Sequence, residues 1–365
     1  MQWSHWGCNE TSTELPYVTS EIEGLGGRIR AIPLHFIVEE LPLYEPIGKG
    51  RHLYVNLTRE NLTTPEIQER LARLSGTQSS DVGFAGLKDK HARTTQTFSI
   101  PVASTDCHAI ENLTAQIQKE LPAVVNWSRL HSNKLRIGHL AGNRFTIIIT
   151  EIETADEETF RRAEQVAIIL RNRGLPNYFG PQRFGYHGQN VRRGREILLG
   201  RLSLADRWLR RYLINSYQSH LCNRSLGLRL TLGLFERVLV GDIARKYTTR
   251  SFFEVRDHEA EQTRYDSHEI SFTAPIYGYE MPMATGIVGE LESKVLAESG
   301  LTLDTFEHAK VKGSRRIGRL LPLDLTMKTS TRSLILSFSL PKGGFATTVL
   351  REFMKNEELG TDFVQ

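Results

Sequence analysis

Cysteine is nearly missing from this sequence: 365 residues hold three, Cys8, Cys107 and Cys222, far apart and without a Cys-x-x-Cys pair. That spacing argues against a disulfide framework and a cysteine-based zinc site, and fits idle thiols in a reducing compartment. No apolar run approaches the length of a membrane span. The segment from Met1 to Glu10 has no basic start followed by an apolar core, so no secretory signal is read there. The Asn-x-Ser/Thr triplets at Asn56, Asn61 and Asn112 then carry no meaning as glycan acceptors. Internal repeats and low-complexity tracts are missing too. Neither sign of charge dominates, with 24% charged residues and a net charge of +4, a balance that permits a nucleic-acid partner without singling one out. The 39% of hydrophobic residues is ample for a core, and the composition is that of a cytoplasmic enzyme.

The length exceeds the usual single domain, so two are expected. Phe36-Ile-Val38 and His52-Leu-Tyr-Val-Asn-Leu57 read as extended, flanking the turn-forming Pro46-Ile-Gly-Lys-Gly50. Thr64 then reads as a helix N-cap, Pro65 as the first helical residue, Ile67, Leu71 and Leu74 as an apolar stripe, and Gly76 as the stop. Alternation returns from Asn133, with Leu140-Ala-Gly-Asn143 as a hairpin turn before a strand over residues 144–150. Thr154-Ala-Asp-Glu157 reads as a capping box for a helix that carries Phe160, Ala163, Ala167 and Leu170 on one face and stops at Gly174. Turn formers dominate residues 174–185, and basic, helix-prone stretches follow at residues 192–195 and 207–230. Residues 333–340 alternate as a strand, residues 341–344 turn, and residues 345–354 read as helical. The two ends share an alternating character that the middle lacks, which marks the middle as an insertion into a sheet-based domain.

The run Asp81-Val-Gly-Phe-Ala-Gly-Leu-Lys-Asp-Lys-His-Ala-Arg-Thr-Thr-Gln96 sets one carboxylate, Asp89, among Lys88, Lys90, His91 and Arg93, between two strand-like runs. Such cations favour the ionised acid and attract a polyanion. A bare carboxylate repels phosphates, so an Asp displayed to a nucleic acid needs a chemical reason. The plainer account is a solvated hairpin tip whose charges keep a sheet edge soluble.

The wording Phe84-Ala-Gly-Leu-Lys-Asp-Lys-His-Ala92 resembles the active-site signature of the TruD family of tRNA pseudouridine synthases, and the resemblance implies that Asp89 is catalytic. Asn177-Tyr-Phe-Gly-Pro-Gln-Arg-Phe-Gly185 resembles a second hallmark of that family. Lys134-Leu-Arg-Ile-Gly-His-Leu-Ala-Gly-Asn-Arg-Phe-Thr146 resembles a third, which implies that Asn143 and Phe145 line the catalytic pocket. Phe36-Ile-Val-Glu-Glu40 with Gly50-Arg-His-Leu53 resembles the family's opening, and Gly344-Phe-Ala-Thr-Thr-Val-Leu-Arg-Glu-Phe353 its closing segment. There is one departure. Where the family usually has a lysine shortly before the Phe36-like position, this chain has Arg30, which keeps the charge with a different geometry for pairing a carboxylate or a phosphate.

The resemblance implies an α+β fold: a mostly antiparallel-sheet pseudouridine synthase catalytic domain over residues 1–173 and 320–365, with an inserted α+β domain over residues 174–319. A cleft lined by Asp89, Phe145 and basic side chains is expected to receive RNA. The implied reaction converts uridine, at position 13 of tRNA, to pseudouridine. It breaks the N1–C1′ bond and joins C5 to C1′, with nothing oxidised or hydrolysed, so neither cofactor nor metal is expected. Flipping the uridine out costs about 2–4 kcal/mol, and an aromatic ring stacked on it offsets about 1–3 kcal/mol. Phe145 is that ring by resemblance, or else an ordinary core residue; Asn143 bonds the carboxylate or the uracil edge, or else only shapes a turn. Lys88, Lys90 and His91 are expected beside the substrate, His91 as a proton shuttle or in a local hydrogen bond. Gln182 and Arg183 of the second hallmark are expected to touch RNA. The expected partner is tRNA, with no membrane and no obligate protein partner, and the expected state is a monomer. Two other readings stay open: a noncatalytic RNA-binding or RNA-chaperone protein on the same fold, and an N-glycosidic hydrolase. No obvious second carboxylate beside Asp89 supports the latter.

Overall fold

The computed structural model describes residues 15–152, 157–330 and 332–356. Cys8 and the capping signal beginning at Thr154 lie outside the described residues. In chain order the first elements are β1 (Gly26–Arg28), β2 (Phe36–Pro42), β3 (His52–Glu60), α1 (Thr64–Ser75), β4 (Gly83–Phe84) and β5 (Arg93–Pro101). Next come α2 (Cys107–Glu120), β6 (Ala123–His131), β7 (Leu140–Ile152), α3 (Glu157–Arg173) and β8 (Leu175–Pro176). The middle holds α4 (Gln189–Leu198), α5 (Arg207–Thr231), β9 (Ile243–Lys246), β10 (Phe252–Glu254), α6 (His258–Asp266), β11 (Ile270–Ile276), α7 (Gly286–Glu298) and α8 (Leu303–His308). The chain closes with β12 (Ser314–Ile317), β13 (Arg319–Leu320), β14 (Leu323–Ser330), β15 (Ser333–Pro341) and α9 (Ala346–Met354). Two compact units result. A sheet unit comprises Leu25–Ala167 and Pro322–Ala346; a helical unit comprises residues 15–24, Ile168–Leu321 and residues 347–356.

In the sheet unit the strands run in the order β14-β15-β7-β2-β5-β3-β6, with β1 added to β7 and β4 to β5. Every pairing is antiparallel except β2 with β5. That parallel pair is possible because the chain leaves β2 and makes β3, α1 and β4 before it returns as β5. Leu53, Val55 and Leu57 of β3 and Phe98 and Ile100 of β5 pack with Ile67 and Leu71 of α1 and Ile117 of α2. Each such side chain contributes about 1.5–3 kcal/mol by leaving water. The C-terminal β15 pairs with β7 from Leu334↔Ile149 to Pro341↔Gly142, so strands far apart in sequence share one sheet.

Three local expectations change. The N-cap of α1 is Thr63, whose hydroxyl accepts from the Glu66 N–H while Glu66 closes the capping box. The Thr64 hydroxyl is committed to the interior instead. The turn expected at residues 140–143 lies earlier, where Gly138 takes φ +88° and the His139 N–H donates to Arg136 O. Residues 140–143 belong to β7, and Gly142 is needed for approach: a Cβ there would stand 2.1 Å from Leu340 O. Finally, β6 and β14 had no sequence reading. The expected helix stop at Gly76 holds, at φ +66°, as does the strand that buries Leu334, Leu336, Phe338 and Leu340.

The helical unit is organised by α5, which starts where Asp206 caps the N–H groups of Trp208 and Leu209. Leu213, Ile214, Tyr217 and Leu221 bury its inner face. Cys222 is fully buried, and burial pushes its thiol up to about 12, which makes it inert. The antiparallel sheet β10-β9-β11-β12 packs in the same unit, as does the short pair β13-β8. Among the described residues of this unit, the buried ion pairs of Arg229 with Asp242 and of Arg315 with Glu292 are bidentate. Glu352 of α9 accepts from the N–H groups of Val18 and Thr19, tying the described N-terminal residues to this unit.

Candidate active site

Asp89 stands in the loop between β4 and β5, whose register pairs Gly83 with Ser99 and Phe84 with Phe98. The base of this loop is fixed by one hydroxyl. Thr64 Oγ1 accepts from Lys88 N–H at 3.1 Å and from Arg59 Nη2 at 2.9 Å, and donates to Gln96 Oε1 at 3.1 Å. Gln96 Nε2 in turn donates to Gly86 O. Arg59 is buried in β3, and desolvation lowers its pKa to about 10. A full set of bonds on Thr64 therefore joins a strand, a helix start and the loop.

The cation that reaches Asp89 is Arg30: Nη2 to Oδ2 is 3.1 Å, with the arginine side chain 8% exposed and the aspartate 39%. Arg30 sits at φ +62°, in the left-handed region that a non-glycine residue enters at a cost of order 1 kcal/mol. Its guanidinium lies 4.0 Å above the Phe36 ring. That ring meets Phe145 edge-on at 6.3 Å, and Phe145 stacks on Phe338 at 5.5 Å. An aromatic wall thus underlies the arginine that orients the carboxylate. Asp89 Oδ1 has no partner among the described residues, so one oxygen is held and the other is available.

Lys88 does not face Asp89. Its ammonium is enclosed by Glu40 Oε2 at 2.9 Å and Asn143 Oδ1 at 2.6 Å, with the Lys88 and Glu40 side chains 4% and 3% exposed. Glu40 and Asn143 are directly opposed on β2 and β7, one step along from the pair Val38 and Phe145 on the same face. Thr97 N–H donates to the other Glu40 oxygen at 3.3 Å. The Asn143 amide nitrogen has no partner among the described residues. Sequence reasoning missed Glu40, although a signal was present. With side chains alternating along β2, Glu40 follows Phe36 and Val38 onto the buried face, where a carboxylate requires a cation.

Arg30, Lys88, Asp89, Asn143 and Phe145 are brought together. Lys90 and His91 share the loop but are exposed, with no hydrogen bond or ion pair among the described residues. Gln182 and Arg183 belong to the helical unit, in a 3-10 turn over Pro181–Phe184. Their segment is no loose linker: Asn223 of α5 brackets the backbone of Phe179, and Arg316 donates to the Asn177 side chain at 2.6 Å. Among the described residues no group of three or more His, Cys, Asp or Glu could hold a metal ion, and no helix is long and apolar enough to cross a membrane.

One half-exposed, arginine-oriented carboxylate beside an aromatic wall is an arrangement that can supply a nucleophile or a base. The model of the tRNA pseudouridine synthase D (TruD) family matches residues 12–207 and 200–353. The chain belongs to that family. It is 43% identical over 345 residues to the tRNA pseudouridine synthase D of a Thermus thermophilus strain, covering 94% of this chain and 93% of the relative. It is 38% identical over 351 residues to that of Anaeromyxobacter sp. Fw109-5, covering 94% and 97%. Among solved structures, one assigned as tRNA pseudouridine synthase D from Methanosarcina mazei superposes with a TM-score of 0.77 at 25% identity, covering 95% of this chain and all of that one.

Proposed function

We propose that this chain isomerises uridine to pseudouridine in tRNA, with Asp89 as the catalytic carboxylate and uridine 13 as the target that the family resemblance implies. The observation that carries the reading is the Asp89 carboxylate, held at Oδ2 by Arg30 and unpartnered at Oδ1 among the described residues. In the covalent route an Asp89 oxygen bonds C1′ as the N1–C1′ pair leaves with uracil. The base turns, C5 bonds C1′, and the aspartate leaves with its electrons. In the glycal route Asp89 takes the 2′ proton and later returns it. Either way C5 loses a proton, N1 gains one, and the composition of the RNA is unchanged.

The other residues follow from their positions. Phe145, with Phe36 and Phe338, backs the face against which the flipped base rests, offsetting about 1–3 kcal/mol of unstacking. The free Asn143 amide donates to a uracil oxygen while Lys88 holds its other end. Lys90 and His91, exposed on the loop, meet the RNA backbone, and Gln182 and Arg183 contact RNA from the helical unit. The sheet-based part is the catalytic domain and residues 174–319 its insertion. The enzyme acts as a cytoplasmic monomer.

The test is tritium release from tRNA carrying C5-tritiated uridine. Release by the wild type and none by folded Asp89→Asn is expected. No release by the wild type on several tRNAs sinks the reading in favour of RNA binding alone. Release that persists in the variant means another group does the chemistry.

A further inference from the structure

Trp208, in the first turn of α5, is 71% exposed. A lone exposed aromatic is ordinary, but this one is built into a stack. Its ring lies over Tyr212, one turn along, at 5.4 Å and 7° between planes, and the Arg183 guanidinium stands 5.3 Å from the Tyr212 ring. Arginine, tyrosine and tryptophan thus form one contiguous column of a half-buried cation and two rings, of which the indole is the most open member. Holding the two rings nearly parallel gives the indole a fixed orientation, so a flat ligand landing on it loses little further side-chain entropy.

The charge beside the column has one sign to spare. Arg207 and Arg211, one turn apart on α5, are exposed and have no carboxylate partner among the described residues. Asp206 is the acid nearest in sequence, and its Oδ1 is committed to the N–H groups of Trp208 and Leu209. A second helix adds to this end of α5. A Cβ on Gly194 would stand 2.2 Å from Leu213 O, so α4 crosses α5 in backbone contact next to Tyr212, with Arg193 exposed beside the crossing.

We infer that this column is a second RNA-binding site, a platform on which Trp208 stacks an unpaired nucleobase while Arg207 and Arg211 take the flanking phosphates. A flat π-face ringed by unneutralised arginines matches a nucleobase between phosphates, and single-stranded RNA is bound by such pairings of stacking and charge. The site is separate from the Asp89 loop in sequence and chemistry. It rests on tRNA being the substrate, and it gives Arg183 the further role of backing the stack.

The test measures equilibrium binding of the full chain to tRNA, to an unstructured single-stranded RNA, and to a fully paired RNA stem. Trp208→Ala is expected to weaken binding of the first two roughly tenfold while leaving the stem unaffected, and Trp208→Phe to recover most of the loss. Arg207→Ala and Arg211→Ala are each expected to lower the slope of log affinity against log salt by about one. Equal affinities for wild type and Trp208→Ala overturn the platform, as does a loss that Phe does not recover or that extends to the paired stem. Tritium release by the wild type is scored in parallel. If release occurs and the Trp208 variants bind normally, only the platform falls. If no release occurs, the synthase reading falls instead.

Discussion

At the scale of single residues, the site divides its cations between two carboxylates. Arg30 serves Asp89 and Lys88 serves Glu40. A buried pair such as Lys88 and Glu40 stabilises little on its own, because desolvation offsets the attraction, but breaking it by halves strands a buried charge. Glu40→Gln or Lys88→Met alone is expected to cost about 3–5 kcal/mol in urea unfolding, and the double variant less than the sum. Additive losses would show that the two do not act as a pair. Arg30 makes a different forecast. Lys supplies the cation that the family usually has there, so Arg30→Lys is expected to keep kcat within about tenfold, whereas Arg30→Met loses on the order of a hundredfold in tritium release. Asp89 was legible because its loop is a distinctive string. Glu40 was not, since a glutamate on a strand reads as surface until the alternation that begins at Phe36 is followed to its end.

At the scale of elements, propensity and punctuation found most helices and the strands with strict alternation. They failed where a residue serves a distant partner. Thr64 looked like a cap because Thr before Pro at a helix start usually is one; its neighbour caps, and Thr64 bonds Arg59, Gln96 and the Lys88 backbone. The two threonines are expected to separate cleanly. Thr63→Ala costs about 1 kcal/mol of stability with activity retained, while Thr64→Val costs about 1–3 kcal/mol and also lowers kcat by loosening the Asp89 loop. Equal behaviour of the two in thermal unfolding and tritium release would remove Thr64 from the site. Gly142 misled in the same way, since closeness of two strands cannot be told from a turn in one dimension. The strand β6, with Asn126, Trp127 and Arg129 between its apolar residues, lacked the alternation that would have announced it.

At the scale of the whole molecule, acid is the expected weakness. Burial lowers the pKa values of His52, His131 and His220, the last to about 4. Above about 6.5 these imidazoles are neutral whether the chain is folded or not, so they do not affect stability there. Below that the unfolded chain takes up protons that the folded one resists, so stability falls as pH drops, for His220 all the way to about 4. Its full contribution is on the order of 3 kcal/mol. His220→Gln is expected to flatten the decline in melting temperature between about pH 6.5 and 4; an unchanged slope would exclude His220 as a source.

The pairing of β15 with β7 has a consequence for how the protein is made. While a ribosome is still translating the middle of the chain, β7 has only β1 and β2 to pair with, and the edge at Ile147 and Ile149 that β15 will cover stays open. That edge waits for the whole stretch from Ile152 to Ser333 to be added before its partner strand begins to emerge. The nascent protein must therefore carry a sticky half-sheet through about half of its own synthesis, and the last strands to leave the tunnel are the ones that close it.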